Sequence, residues 1–166
     1  MAIRLGIVVP CYNEEEVLPE TNRRLLDLLN HLQQSGLVTA NSTLYFVDDG
    51  SKDHTWEIIE SLAAVDTRVH GIKLSRNRGH QNALLAGLFG AEGDAVVTVD
   101  ADLQDDITII EEMVHRFSEG CEIVYGVRKS PVRRIPLSNG AALECTTSSL
   151  PGWVSMSFTT MPTSGS

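Results

Sequence analysis

The first 130 residues alternate between short apolar runs and segments with helical spacing. "IRLGIVV" (3–9), ended by Pro10, reads as a buried strand, as do "TLYFVDD" (43–49), "VHGIKL" (69–74), "DAVVTVD" (94–100) and "CEIVYGV" (121–127). Between them, residues 17–35 place Leu18, Leu25, Leu29 and Leu32 on one stripe, as an amphipathic helix requires. Pro19 suits the first turn of that helix and Gly36 its end. Ser51 or Asp53 can cap a second helix whose shared face carries Trp56, Ile59, Leu62 and Ala63. Residues 80–91, rich in Ala, Leu and Gly, predict a small helix suited to close approach on a sheet. Asp105 or Asp106 can cap a fourth helix, with Ile107, Ile110, Val114 and Phe117 turned inward. Such alternation predicts an α/β fold, a doubly wound and largely parallel sheet with helices on both faces.

In sheets of this kind ligands bind beyond the carboxyl ends of the strands, so the residues just after each strand carry the functional information. Three of these stretches are polar: "PCYNEEE" after the first strand, "DDGSKD" after the second and "DADLQDD" after the fourth. Any one of them can simply end a strand and cap a helix. Three acidic clusters on one rim are costly unless something offsets the repulsion, and a divalent cation would do so. Asp100 and Asp102 would point to opposite faces of an extended strand, so the chain must turn there for both to reach one ion. Gln104 adds a neutral oxygen. An all-oxygen set with open positions suits Mg2+ or Mn2+, which often bridge protein carboxylates to a diphosphate.

Composition narrows the picture further. The 166 residues are 42% hydrophobic and 21% charged, the balance of a soluble globular domain with a real core. Of the formal charge of −9, residues 131–166 contribute +1 through Arg133, Arg134 and Glu144, so the first 130 residues carry −10. A body this acidic is a poor general partner for nucleic acid phosphates. Cys11, Cys121 and Cys145 are an odd set without metal-ligand spacing, which reads as a reduced, cytoplasmic compartment. The start, "MAIRLGIVVP", is too short an apolar run for a secretory leader, and no run of eighteen apolar residues could span a membrane.

The ordered motifs "VVPCYNEEEVL", "FVDDGSKDHT", "LSRNRGHQNALLAGL", "VDADLQDD" and "VYGVRK" resemble the family 2 glycosyltransferases. The likeness runs from residue 3 to about residue 130. It looks nearest to the polyprenyl-phosphate branch, similar to dolichyl-phosphate mannosyltransferases and bactoprenol glucosyltransferases. The resemblance implies a GT-A fold, a nucleotide-sugar donor of the UDP-glucose or GDP-mannose class, a polyprenyl phosphate acceptor and a divalent metal, Mg2+ or Mn2+. It also implies site residues. Pro10, Tyr12 and Glu14 match positions around the nucleoside, and Val47 and Asp49 another part of that pocket. Asp100, Ala101, Asp102 and Gln104 match the metal and diphosphate site, and Arg128 a basic residue near the donor phosphates. Many relatives carry Pro-Pro-Glu after "DLQD", where this chain has Asp106-Ile107-Thr108. Tyr12 can stack on a base or serve as packing. Asp49 can accept from a ribose or hold the Asp-Gly turn; the ligand role is favoured because Asp48 or Asp53 could serve the turn. Arg76 and Arg78 add positive charge to the acidic rim but read first as solvated surface residues, and His80 can contact a donor or acceptor phosphate but reads first as helix N-terminal packing. No catalytic base is assignable.

Past Ser130 the character changes. "TTSSLPGWVSMSFTTMPTSGS" (146–166) is more than half Ser and Thr, with no helical stripe and no clean alternation, and reads as a disordered or loop-rich tail. Codons permitted by "CTTSSLPGWVSMSFTTMPTSG", read from each third base, allow "HYKLLAWMGVDVVYNHADFR", which resembles the family's own continuation. The expectation is therefore a donor-binding domain over residues 1–130 and an out-of-frame tail over residues 131–166. Such a chain would bind a nucleotide sugar with metal but carry out little transfer, and it would expose apolar surface that favours self-association. Two other classes share some of the ingredients. One is a glycosyltransferase of the same fold with a non-lipid acceptor. The other is a receiver-like phosphoacceptor domain, which would use Asp48, Asp49, Asp100 and Lys129 but place its acidic pair after the first strand.

Overall fold

A computed structural model of the chain describes residues 2–103, 106–128, 141–146 and 158–160. The elements run β1 (Leu5–Cys11), α1 (Leu18–Gln34), β2 (Thr43–Asp48), α2 (Thr55–Val65), β3 (Val69–Lys73), α3 (His80–Gly90), β4 (Ala95–Thr98), α4 (Ile109–Ser118), β5 (Ile123–Arg128), β6 (Ala141–Thr146) and β7 (Phe158–Thr160). The main sheet has the order β3-β2-β1-β4-β7. Its first four strands are parallel, and β7 pairs antiparallel with β4. β1 passes through Pro10, which pairs in register with Val47. Pro10 lies beyond the last β1–β4 pair, Val8 with Thr98, so its missing amide costs no ladder bond on that side.

Alternation of side chains across the strands builds two apolar layers. Leu5, Ile7 and Val9 of β1 and Leu44 and Phe46 of β2 meet Leu25, Leu29 and Leu32 of α1, Ile59 of α2 and Ile110 and Met113 of α4. On the opposite face, Val8, Tyr45, Val47 and Val96 meet Ala83 of α3. Helices therefore cover both faces, and the predicted stripe of α1 is buried. α3 approaches the sheet closely because Gly87 rests on it: a methyl there would collide with Val8 and come within 2.9 Å of Val47. Leu85 and Phe89, on the outer side of α3, are exposed.

Three details differ from the sequence reading. The strand expected over residues 121–127 does not join the parallel sheet. β5 pairs antiparallel with β6 in a separate two-stranded sheet, while β7 occupies the edge of β4. Within residues 131–166, two stretches are thus strands, β6 and β7. Cys11 is a buried free thiol, whereas Cys121 is disulfide-bonded, unlike the reduced set read from the cysteine count. Among the described residues, no helix is long and apolar enough to cross a membrane.

Candidate functional site

The chain crosses from β3 back over β2 and β1 to place β4 on the far side of β1. The strand order therefore reverses between β1 and β4, and such a reversal leaves a crevice at the carboxyl ends of the two strands. A cavity of about 340 Å³ opens there. It is lined by Pro10 and Cys11 at the end of β1, Tyr12 and Glu14 after it, Asp49 after β2, and Asp100, Ala101 and Asp102 after β4. The loop after β3 adds Asn77 and Gly79, and the first turn of α3 adds His80 and Ala83. Seven residues expected at a ligand site, Pro10, Tyr12, Glu14, Asp49, Asp100, Ala101 and Asp102, thus share one cavity.

The turn required for Asp100 and Asp102 to converge is present. The Leu103 amide donates to the Asp100 carbonyl at 3.2 Å, and Leu103 itself has φ 46, in the left-handed region that tight turns often use. Thr21 of α1 secures the same turn by donating its hydroxyl to the Ala101 carbonyl. Both carboxylates act on Glu14. Burial raises the Glu14 carboxyl above its ordinary range, and the charges of Asp102, Asp53 and Asp100 raise it further. His80 stands across from Asp100, with Nε2 at 4.0 Å from Oδ1. Its side chain is 62% exposed, so it faces the cavity rather than packing at the helix start as expected.

Asp49 combines both roles weighed for it. It lines the cavity, but its buried carboxylate also accepts the amides of Arg78 (2.7 Å) and Gly79 (2.8 Å). It fastens the loop after β3 to the end of β2. Asp48, fully buried, serves the Asp-Gly turn by accepting the Ser51 amide at 3.0 Å. Asp53 and Asp106, expected as helix caps, instead brace the turns just before the helices, whose N-cap positions are His54 and Thr108. Asp53 accepts the Thr55 amide at the start of α2, and Asp106 accepts the amide and hydroxyl of Thr108 just before α4.

Three expected site residues are not part of this cavity as described. Val47 is fully buried beneath α3, and its side chain belongs to the core. Arg128 ends β5, in the smaller sheet. Gln104 lies outside the described residues, as does Asp105. Sequence reasoning missed Cys11, Asn77, Gly79 and Ala83. The strand-end rule would have found Asn77 and Gly79, because "SRNRGH" follows the third strand as the acidic stretches follow the others, whereas Ala83 lies within α3.

Among the described residues, no group of three or more His, Cys, Asp and Glu side chains converges tightly enough to hold a metal unaided. Two carboxylates on one turn, with a cavity open above them, fit a cation completed by the oxygens of a bound diphosphate. The donor set is oxygen only, as a hard divalent ion prefers.

The family pattern described as glycosyl transferase family 2 matches residues 6–138. The chain belongs to glycosyl transferase family 2. Among its relatives is the glycosyltransferase YkoT of Bacillus subtilis (strain 168), 51% identical over 128 residues, which are 76% of this chain and 38% of the relative. The undecaprenyl-phosphate 4-deoxy-4-formamido-L-arabinose transferase of Shewanella sediminis (strain HAW-EB3) is 39% identical over 137 residues, 80% of this chain and 40% of that protein. The chain thus spans about two-fifths of the length of these relatives. The fold is GT-A. A mannosyltransferase from Pyrobaculum calidifontis, solved with GDP-Man and Mn2+, superposes with a TM-score of 0.60 at 23% identity, over 79% of this chain and 37% of that one. Family membership sets aside the receiver-like reading, and the position of the acidic pair agrees, since Asp48 and Asp49 follow β2 rather than β1.

Proposed function

We propose that this chain is the donor-binding part of an inverting, metal-dependent glycosyltransferase that moves a hexose from a nucleotide diphosphate sugar to a polyprenyl phosphate. The observation that carries the reading is a single cavity at the sheet's reversal point. Its lining brings together the Tyr12 ring, the carboxylates of Glu14 and Asp49 and the Asp100–Asp102 turn. Tyr12, 39% exposed beside Pro10, is proposed to stack on the base. Glu14 and Asp49 face the nucleoside, with Asp49 using the acceptor capacity left after its two backbone bonds. Ala101 keeps the turn narrow enough for the diphosphate to lie against the backbone, and Arg128 is proposed to approach the phosphates. Val47 supports the site from beneath, by seating α3.

Asp100, Asp102 and Gln104 are proposed to hold Mg2+ or Mn2+ together with the donor's diphosphate. When bound, the cation would stabilise negative charge on the departing nucleoside diphosphate. The acceptor phosphate oxygen forms the new bond to the anomeric carbon as the bond to the diphosphate breaks, which inverts that carbon. An ionised phosphate is already nucleophilic, so the site needs no strong base. The lipid acceptor, and with it a place at the cytoplasmic face of a membrane, is supported by the undecaprenyl-phosphate relative. Residues 131–166 are proposed to be out-of-frame translation. This chain would then bind donor without efficient transfer, and sequencing of the encoding DNA checks the frame.

The direct test is a thermal-shift panel of UDP- and GDP-sugars with and without Mn2+. A metal-dependent rise in the melting temperature with one nucleotide class is expected. No shift with any donor would overturn the reading. Transfer to a soluble sugar by the frame-corrected protein, with none to a polyprenyl phosphate, would favour the non-lipid acceptor.

A further inference from the structure

The loops after β1 and β2 are sewn together through side chains. The Asn13 amide donates to Ser51 Oγ at 2.9 Å, and Asn13 Oδ1 accepts the Lys52 amide at 2.8 Å. The Glu14 amide donates to Thr55 Oγ1 at 2.8 Å, and Thr55 is fully buried. The Glu15 amide reaches Asp53 Oδ2 at 3.3 Å, and Glu15 Oε2 accepts the His54 amide at 2.9 Å. Asn13 begins this seam. It has φ 56, in the left-handed region that Asn tolerates better than most residues. The turn of the backbone there puts its neighbours Tyr12 and Glu14 on the cavity wall, while Asn13 does not line the cavity.

We propose that Asn13 is a positioning residue for the donor site. Its two bonds and left-handed backbone fix Tyr12 and Glu14 at the nucleoside end before ligand arrives. The inference rests on the proposed donor reading of this cavity. A loop held in its bound shape loses less conformational freedom on binding. An unanchored loop would have to order Tyr12 and Glu14 as the nucleotide enters. Asn13 acts through its neighbours and makes no contact with ligand itself.

Three proteins test this: the full chain, Asn13→Gly and Asn13→Asp. Gly keeps the left-handed backbone but removes the side-chain acceptor; Asp keeps an acceptor oxygen. Nucleotide affinity is read by titration calorimetry with UDP and GDP in Mn2+. Exchange of the Glu14 amide is read by hydrogen–deuterium exchange without ligand. Asn13→Gly is expected to weaken nucleotide binding at least tenfold and speed Glu14 exchange at least tenfold, with an unchanged thermal midpoint. Asn13→Asp is expected to restore both. Affinity within twofold of the parent in Asn13→Gly, or unchanged Glu14 exchange, would overturn the proposal. If the parent chain binds no nucleotide, the donor reading fails. The positioning role is then decided by Glu14 exchange alone, where recovery in Asn13→Asp supports it and its absence rejects it.

Discussion

The carboxylate of Asp49 holds the amide of Gly79 at 2.8 Å, and with its other oxygen the amide of Arg78 at 2.7 Å. A residue at the end of β2 thereby sets where α3 begins and where His80 enters the cavity. Asp49 is 3% exposed, and a hydrogen bond to a charged group contributes about 1.5–3 kcal/mol. Asp49→Ala removes the acceptor of the Arg78 amide and leaves the Gly79 amide with only its 3.1 Å bond to Asn77 Oδ1, and is expected to lower stability by about 3 kcal/mol. Asp49→Asn keeps one acceptor oxygen and is expected to lose about half as much. Urea denaturation measures both. Nucleotide affinity should fall in the same order, because the loop carrying Asn77 and His80 shifts.

Gly50, next in the chain, tests the same junction from the backbone side. Its φ is 69, and an added methyl would lie 2.6 Å from both the Arg76 carbonyl carbon and the Asn77 nitrogen. Gly36 has a similar φ of 72 but nothing within 4 Å. Gly36→Ala should therefore cost only the left-handed penalty of about 1–2 kcal/mol. Gly50→Ala adds overlap with rigid backbone and should cost at least about twice that. Equal costs in urea denaturation would mean that the 76–77 segment can move away freely.

Much of this was legible in the sequence, because period and punctuation are local signals. The Leu18, Leu25, Leu29 and Leu32 stripe, the apolar strands and the acidic strand ends fix which elements form and which end of the sheet is polar. The partner of β5 was not legible: "CEIVYGV" has the same apolar pattern whether it extends a parallel sheet or pairs with a later strand. The division of labour among the carboxylates was legible in outline, since position already separates Asp48, Asp53 and Asp106, which brace backbone, from Asp100 and Asp102, which line the cavity. Asp49 was not legible as one or the other: it lines the cavity and also accepts the Arg78 and Gly79 amides, which only the three-dimensional route of the chain brings to it.

Glu14 gives a pH prediction with a definite sign. Burial first, then the charges of Asp102, Asp53 and Asp100, hold its carboxyl above the ordinary range. The folded protein therefore keeps the Glu14 proton to a higher pH than the unfolded chain does. Ionised Glu14 opposes folding, and this cost grows as pH rises from the unfolded value through the raised folded one. Glu14→Gln is expected to raise the urea midpoint at pH 7, with the gain fading toward pH 4. A gain that persists at pH 4 would mean that the substituted amide contributes by some other contact. If Glu14 also faces the nucleoside, the same substitution weakens nucleotide binding while stabilising the fold, so the two effects separate in one protein.

Asp100 and Asp102 present the opposite balance between stability and function. Each adds negative charge to a wall already shared with Glu14, and like charges in a partly buried site oppose folding. Removing both charges by Asp100→Asn with Asp102→Asn should leave the metal-free protein as stable as the parent, or more so. The same double substitution should abolish the Mn2+ dependence of donor binding, leaving at most the weak, metal-independent affinity of the nucleoside pocket. Calorimetric titration of the nucleotide with and without Mn2+ reads the second effect, and urea denaturation in metal-free buffer the first. A purely structural role for the pair, as turn formers, predicts the reverse: lower stability and unchanged metal dependence. The backbone bond of the turn, from the Leu103 amide to the Asp100 carbonyl, is a main-chain contact that both substitutions leave in place.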